Sequence, residues 1–368
     1  MNLSQITPSL FAGLGLTTAI DEIGCGESPH GRELLFLIDG FGADILETYA
    51  SYIPKISQLV QHGVIQTSFP TTTATSLATL MTGTMPGTHG MLGYTVQVPR
   101  SGGRILNSLK WDERVDPYVW QSVPTLFERA ALVGINVAHV AAKRYENTGF
   151  TRAVFRGADY RGANIAADLV DQSVEALLKS PSFVYLYVND LDSAGHSDGV
   201  GSDKWLAALS GIDQLVTTLL QKLPRGTRFW LTSDHGMINV DEKIIIGVDN
   251  ELDKDIAVIA GEPRARHLYL SSEMGSVEAR RDVAGRWKEA LGERANIYTR
   301  EDAISENLFG CDITTDAIDR MGEVIVFAKN GLVLLEIQRA DKEGQMIGHH
   351  GGMTQVESSV PLLMATLR

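Results

Sequence analysis

A chain of 368 residues with 44% hydrophobic and 21% charged residues has the balance of a globular enzyme of one large or two moderate domains. The net charge of −13 argues against a nucleic-acid groove, which needs a basic surface, and favours a small substrate held by local charge. Cys25 and Cys311 are the only cysteines, so no disulfide framework is implied and a reducing compartment is expected.

Residues 1–32 are glycine-rich and weakly patterned, and are read as an extended N-terminal arm. They lack a basic n-region, so no secretory signal is expected there, and no run approaches the ~20 apolar residues of a membrane span. The protein is accordingly expected in the cytoplasm, without membrane association. A strand Leu34–Ile38 ends at Asp39, and the spacing of Ile53, Ile56, Leu59 and Val60 predicts a helix closing at Gly63.

The stretch from Ser68 to Gly83, SFPTTTATSLATLMTG, follows the strand-like Val64-Ile65. Phe69-Pro70 forces an extended turn, and Leu77, Leu80 and Met81 recur at helical spacing. Thr73 therefore falls near a helix N-terminus, where unpaired N–H groups and the helix dipole favour an anion. Thr95 to Asp116 reads as a hairpin or lid containing Trp111.

From Pro124 onward, helices alternate with short apolar strands: helix 125–132, strand 135–140, helix 163–178, strand 183–188, helix 204–223 and strand 229–231. Such alternation predicts an α/β fold, a mainly parallel central sheet flanked by helices on both faces. Beyond Met237 the rhythm changes. Residues 241–345, with a helix near 277–291 and the strand-like GEVIVFAKN and GLVLLEI, are read as a smaller inserted α+β cap region; 33–240 and 346–368 are read as the core.

Four apolar runs end close to metal-capable side chains, as expected at the carboxyl ends of parallel strands, where open α/β sheets place their ligands. They supply Asp39, then Asp192 and His196 from DLDSAGH, then Asp234-His235 from SDHGM, and finally GHHGG with His350. Asp192 and His196 are one helical turn apart, whereas adjacent Asp234 and His235 converge only on an irregular strand end, which Gly236 permits.

This order resembles the alkaline phosphatase superfamily and, within it, the type I phosphodiesterase and nucleotide pyrophosphatase family. FPTTT with TG ten residues on, DSAGH, SDHGM and HHGG carry the resemblance, from residue 33 to the C-terminus. It implies two divalent ions: Asp192, His196 and His350 hold one, and Asp39, Asp234 and His235 hold the other together with Thr73, the nucleophile. Mixed imidazole and carboxylate ligands suit zinc, with manganese or iron as alternatives. Asp190 is a rival to Asp192, His349 to His350, and Thr71 and Thr72 to Thr73, with the family pattern favouring Asp192, His350 and Thr73.

The implied reaction is hydrolysis of a phosphate diester or pyrophosphate through a phosphothreonine, with the Ala74 N–H and Ser76 stabilising the phosphoryl group and Tyr94 and Trp111 as candidate pocket walls. Nucleotide pyrophosphatases commonly carry an aromatic residue directly after the threonine; Ala74 stands here and cannot stack on a base. Alternatives are a phosphomonoesterase clamped by Arg144, Arg152 or Arg156, a phosphonate hydrolase, and a non-catalytic metal-stabilised binding protein. The oligomeric state is not specified.

Overall fold

The structure, a computed structural model, describes residues 1–274 and 276–367. Its centre is a seven-stranded sheet in the spatial order Val60–Gln66, Ser359–Thr366, Arg228–Thr232, Arg32–Ile38, Ser182–Val188, Asn136–Ala141 and Asp159–Gly162. Six strands share one direction, and Ser359–Thr366 runs against them between Val60–Gln66 and Arg228–Thr232. The strand Arg32–Ile38 shows why the sheet is covered twice. Leu34, Phe36 and Ile38 enter one apolar cluster, and Leu35 and Leu37 enter the other. Period-2 alternation between two apolar faces is what a strand buried on both sides requires.

Helices Ala166–Ala176 and Asp203–Lys222 cover one face, and Leu3–Gly13, Thr73–Thr82 and Leu126–Leu132 the other. The first of the latter group corrects the reading of an extended arm. Asn2 and Gln5 form a capping box, with Ser4 N donating to Asn2 Oδ1 at 3.0 Å and Asn2 N to Gln5 Oε1 at 2.8 Å. Leu3, Ile6, Leu10 and Phe11 are buried from that helix, and the Phe11 ring stacks on Phe183 at 4.5 Å. Hydrophobic burial on the sheet outweighs the intrinsic cost of Pro8 within the helix.

The helix expected over Ile53 to Gly63 is also corrected. Short helical turns at Ile45–Thr48, Ala50–Tyr52 and Ile56–Gln58 lead into the strand Val60–Gln66, which contains Gly63. Pro54 interrupts the pattern by removing a donor. The freed chain is held instead by the buried Asp213, whose Oδ1 accepts Lys55 N at 2.9 Å and Ile56 N at 2.8 Å.

A second, four-stranded antiparallel sheet orders Ile256–Glu262, Ala265–Leu270, Val324–Ala328 and Ala295–Thr299, with helix Val277–Leu291 on one side. Its other side joins the first sheet's core. Ala265, Ile325 and Phe327 belong to the same cluster as Phe69, Ala74 and Leu77, and the Phe69 and Phe327 rings meet edge-on at 3.9 Å. The two sheets are also tied by a buried ion pair. Arg264 donates through Nε and Nη2 to Glu357 Oε1 and Oε2 at 2.6 and 2.9 Å, and Glu357 also accepts Gly352 N at 2.8 Å and Thr354 Oγ1 at 2.6 Å.

Glu357→Ala leaves the fully buried Arg264 guanidinium without its counter-charge. The expected loss is about 3–5 kcal/mol of unfolding free energy, read by urea titration. Replacing both partners by apolar residues of similar volume should cost much less.

Candidate two-cation active site

The candidate residues gather at the carboxyl ends of the parallel strands. Asp39 follows Arg32–Ile38, Thr73 follows the loop after Val60–Gln66, and Asp192 and His196 lie on helix Asp190–Asp198 after Ser182–Val188. Asp234 and His235 follow Arg228–Thr232, and His350 lies in the segment leading to Ser359–Thr366. Asp39, Asp234 and His235 bring one ligand atom each to within 4.8 Å of one another, and Asp192, His235 and His350 do the same.

This grouping differs from the expected one at one residue. His235 stands between the two sets, its ring stacked on His350 at 3.6 Å, and takes part in both clusters. His196 approaches Asp192 instead, with Nε2 3.4 Å from Asp192 Oδ1; His350 Nε2 lies 3.7 Å from the same oxygen. Asp190 is exposed at the start of its helix, away from these groups.

Two local features let the side chains converge. Gly40 has φ +77°, and a Cβ there would lie 3.3 Å from the Asp192 backbone, so the loop after Asp39 can pass closely over the Asp192 helix. A Cβ on Gly236 would lie 1.9 Å from Val356 O, so only glycine fits where the chain turns after Asp234-His235. Ser233 Oγ fastens that turn, accepting Phe41 N at 2.9 Å and donating to His235 O at 2.8 Å.

The chemistry of the donors fits cations. Asp39 Oδ1, Asp192 Oδ1 and Asp234 Oδ2 are buried with no hydrogen-bond partner among the described residues. Burial raises the Asp39 carboxyl well above the usual range, with Asp234 and Asp192 adding repulsion; burial likewise raises Asp234. The imidazoles are oriented by carbonyls. His196 Nδ1 lies 2.8 Å from Gly348 O, His235 Nδ1 3.1 Å from Gly236 O and His350 Nδ1 2.8 Å from Thr71 O. A ring nitrogen facing a carbonyl carries the proton, which leaves each Nε2 as a lone-pair donor. Burial, with His235 and His196 alongside, pushes His350 well below its ordinary value and keeps it neutral, as a metal ligand must be.

Thr73 is the first residue of helix Thr73–Thr82, with Thr72 as the preceding cap residue. Its Oγ1 lies 3.2 Å from His235 Nε2, which places the hydroxyl beside the cluster of Asp39, Asp234 and His235. Thr71 is committed elsewhere: its Oγ1 accepts Gly351 N at 3.0 Å and donates to Gly352 O at 2.8 Å. Likewise His349 Nε2 faces Glu343 O at 3.2 Å, away from the clusters.

A pocket of about 500 Å³ opens beside these groups, lined by Thr73, Ala74, Tyr94, Asp192, His196 and His350 among others. Trp111 is not among its walls. It packs under Gly149 and donates Nε1–H to Val115 O at 2.7 Å, closing its own loop. Ser76 is fully buried in its helix, its Oγ without a hydrogen-bond partner among the described residues and outside the pocket lining. None of Arg144, Arg152 and Arg156 lines the pocket either; Arg156 is fixed by Glu128 and by carbonyls of Gln121, Val123 and Ala153.

Sequence reasoning missed Tyr187, whose hydroxyl donates to Asp39 Oδ2. The signal was faint: Tyr187 is one of two tyrosines, with Tyr185, in the apolar run Phe183–Val188. It also missed Glu262, which reaches the pocket from the second sheet.

Two acidic-imidazole clusters beside a threonine at a helix N-terminus, on a mainly parallel sheet covered on both faces, resemble the arrangement of the alkaline phosphatase superfamily. The chain belongs to the type I phosphodiesterase / nucleotide pyrophosphatase family, whose pattern matches residues 34–353. Family member 1 of the ectonucleotide pyrophosphatase/phosphodiesterases of Mus musculus is 28% identical over 237 residues, covering 57% of this chain and 24% of its own. The Homo sapiens counterpart is 28% identical over 272 residues, covering 65% and 28%. The chain thus spans about a quarter of the length of these relatives.

Among solved structures, murine ectonucleotide pyrophosphatase / phosphodiesterase 5 superposes with a TM-score of 0.70 at 19% identity, over 90% of this chain and 87% of that one. Phosphonoacetate hydrolase from Sinorhizobium meliloti superposes with a TM-score of 0.70 at 18% identity, over 93% and 91%. These likenesses overturn the cytoplasmic expectation, because the matched mouse, human and rat relatives are named as ectonucleotide enzymes. Among the described residues no helix is long and apolar enough to cross a membrane.

Proposed function

We propose that the protein hydrolyses phosphate diesters or pyrophosphates by two in-line displacements, with Thr73 as nucleophile and a phosphothreonine between them. The observation that carries this reading is Thr73 Oγ1 at 3.2 Å from His235 Nε2, the imidazole that both acidic clusters share. Asp39, Asp234 and His235 are assigned to one cation, and Asp192, His196 and His350 to the other, with zinc favoured by the mixed nitrogen and oxygen donors. When bound, such a pair supplies positive charge to the transferring phosphoryl group and lowers the energy of the attacking and leaving oxygens.

The chain's own residues do the positioning. In the first displacement the Thr73 Oγ–P bond forms as the ester P–O bond breaks, and the leaving oxygen departs with a proton; in the second, water takes up the phosphoryl group and Thr73 regains its hydrogen. The helix dipole at Thr73–Ala74 favours the phosphoryl anion, and the Ala74 N–H is assigned to it. Tyr187 holds Asp39 in place, and Ser233 holds the loop of Asp234 and His235. Support also comes from the murine family member 5 structure in complex with AMP, described as inactive, in which a threonine is changed to alanine.

A diester or pyrophosphate is preferred to a monoester because Arg144, Arg152 and Arg156, the residues expected to clamp a dianionic phosphate, lie outside the pocket. With zinc or manganese supplied, the expected result is faster turnover of bis(4-nitrophenyl) phosphate than of 4-nitrophenyl phosphate. The reverse order would favour a phosphomonoesterase, and turnover of neither, nor of a dinucleoside pyrophosphate, would remove the hydrolase reading.

A further inference from the structure

Glu262 is the last residue of the strand Ile256–Glu262 and carries the second sheet into the pocket. It is 4% exposed. Oε2 accepts Tyr94 N–H at 3.0 Å, whereas Oε1 is buried with no hydrogen-bond partner among the described residues. Two glycines make room for the carboxyl. A Cβ on Gly351, next to His350, would lie 2.6 Å from Glu262 Cγ and 3.4 Å from Oε1, and a Cβ on Gly93 would lie 3.2 Å from Oε2.

An isolated buried carboxyl is costly unless something compensates it. The charged side chains nearby do not. Arg266, on Ala265–Leu270, gives Nη2 to Glu343 Oε2 at 2.9 Å and Nε to Leu334 O at 2.8 Å, and no ion pair to Glu262 forms among the described residues. Burial pushes the Glu262 carboxyl up to about 8, with the Tyr94 N–H and Arg266 opposing and Glu343 adding to the rise, so it holds a proton at neutral pH. With Oε2 engaged as an acceptor, Oε1 carries that proton and is a donor without an acceptor among the described residues.

We propose that Glu262 is a substrate-contacting residue whose Oε1 donates a hydrogen bond to an anionic oxygen of the bound phosphate ester. The proposal rests on the phosphohydrolase reading above. A neutral donor adds a hydrogen bond to the anion without adding negative charge to a pocket that Asp39 and Asp192 already line, a role an ionised carboxylate could not fill. Glutamine, which keeps the shape and a neutral N–H donor, should therefore replace it, whereas methionine, of similar length but without a donor, should not.

The test compares metal-loaded wild type, Glu262→Gln and Glu262→Met by three measurements: kcat and KM for bis(4-nitrophenyl) phosphate, calorimetric affinity for inorganic phosphate, and metal content. Glu262→Gln is expected within about threefold of wild type throughout, and Glu262→Met about tenfold or more weaker in phosphate affinity and kcat/KM with metal content unchanged. Equal damage in both variants, no effect in either, or loss of metal would each overturn the proposal, the last by making Glu262 a support of the metal ligands. Should the methionine variant not fold, Glu262→Ala takes its place. Failure of wild type to turn over the diester, the monoester and a dinucleoside pyrophosphate would sink the hydrolase reading, while the phosphate-affinity arm would still decide the role of Glu262.

Discussion

Thr73→Ala is expected to lower kcat for diester hydrolysis by roughly 10³-fold or more, because the oxygen that attacks phosphorus is removed and no neighbouring hydroxyl can replace it. Thr71 is engaged with Gly351 and Gly352, and Ser76 faces the interior. Thr72 lines the pocket but precedes the helix, without the contact to His235 that Thr73 makes. The same variant should keep its metal, since the carboxylate and imidazole donors are untouched. Rapid-quench assays with a labelled diester should show label on the wild-type protein and none on the variant. Turnover retained within tenfold would reject the nucleophile assignment.

Removing the metal should have an effect as large on activity and a second one on stability. Chelation is expected to abolish turnover, with recovery on adding zinc or manganese. A ligand at about 100 times its Kd stabilises the folded state by roughly 2.7 kcal/mol per site, so the metal-loaded protein should melt well above the metal-free one. The pH dependence follows from Asp39 and Asp234, whose carboxyls burial raises above the ordinary carboxylate value in the folded state. In the metal-free protein the folded state then binds more protons than the unfolded chain, and stability falls as pH rises above that value towards the folded one. Cations take the place of those protons. The melting difference between metal-loaded and metal-free protein should therefore widen from pH 5 to pH 7; a constant difference would show that these carboxylates do not meet the ions.

Much of this clustering is legible in the sequence, for a physical reason. An apolar run followed by Asp39, or by Asp234-His235, marks a buried strand ending at a polar group, and parallel sheets collect such ends on one edge. The one-turn spacing of Asp192 and His196 survives as a helix. His235 as a member of both clusters was not legible, because it depends on a ring stack with His350, 115 positions further along the chain.

Glu262 was hidden for the same reason. Beside Pro263 it looks like a turn residue, and only the packing of the second sheet shows that it is buried in the pocket. The helix Leu3–Gly13 had a local signal in Asn2 and Gln5 that Pro8 and the glycines obscured, and the Ile53–Val60 spacing pointed to a helix that Pro54 forbids. Cellular address depends on no packing rule. The cysteine count points to a reducing compartment, and the company of ectonucleotide relatives overturns the cytoplasmic expectation.

The strand Ser359–Thr366 lies inside the main sheet, between partners made some 130 and 300 residues earlier. While the ribosome is still adding the second sheet, Arg228–Thr232 must wait with one flank of amide and carbonyl groups unsatisfied. Such a flank is a template for strands of other chains. Nascent copies should for that interval be clients of holdase chaperones, and crowded synthesis should yield aggregates seeded at that flank. The late arrival of Ser359–Thr366 also brings His350 into place, so the catalytic centre and the closed sheet should mature in a single slow step.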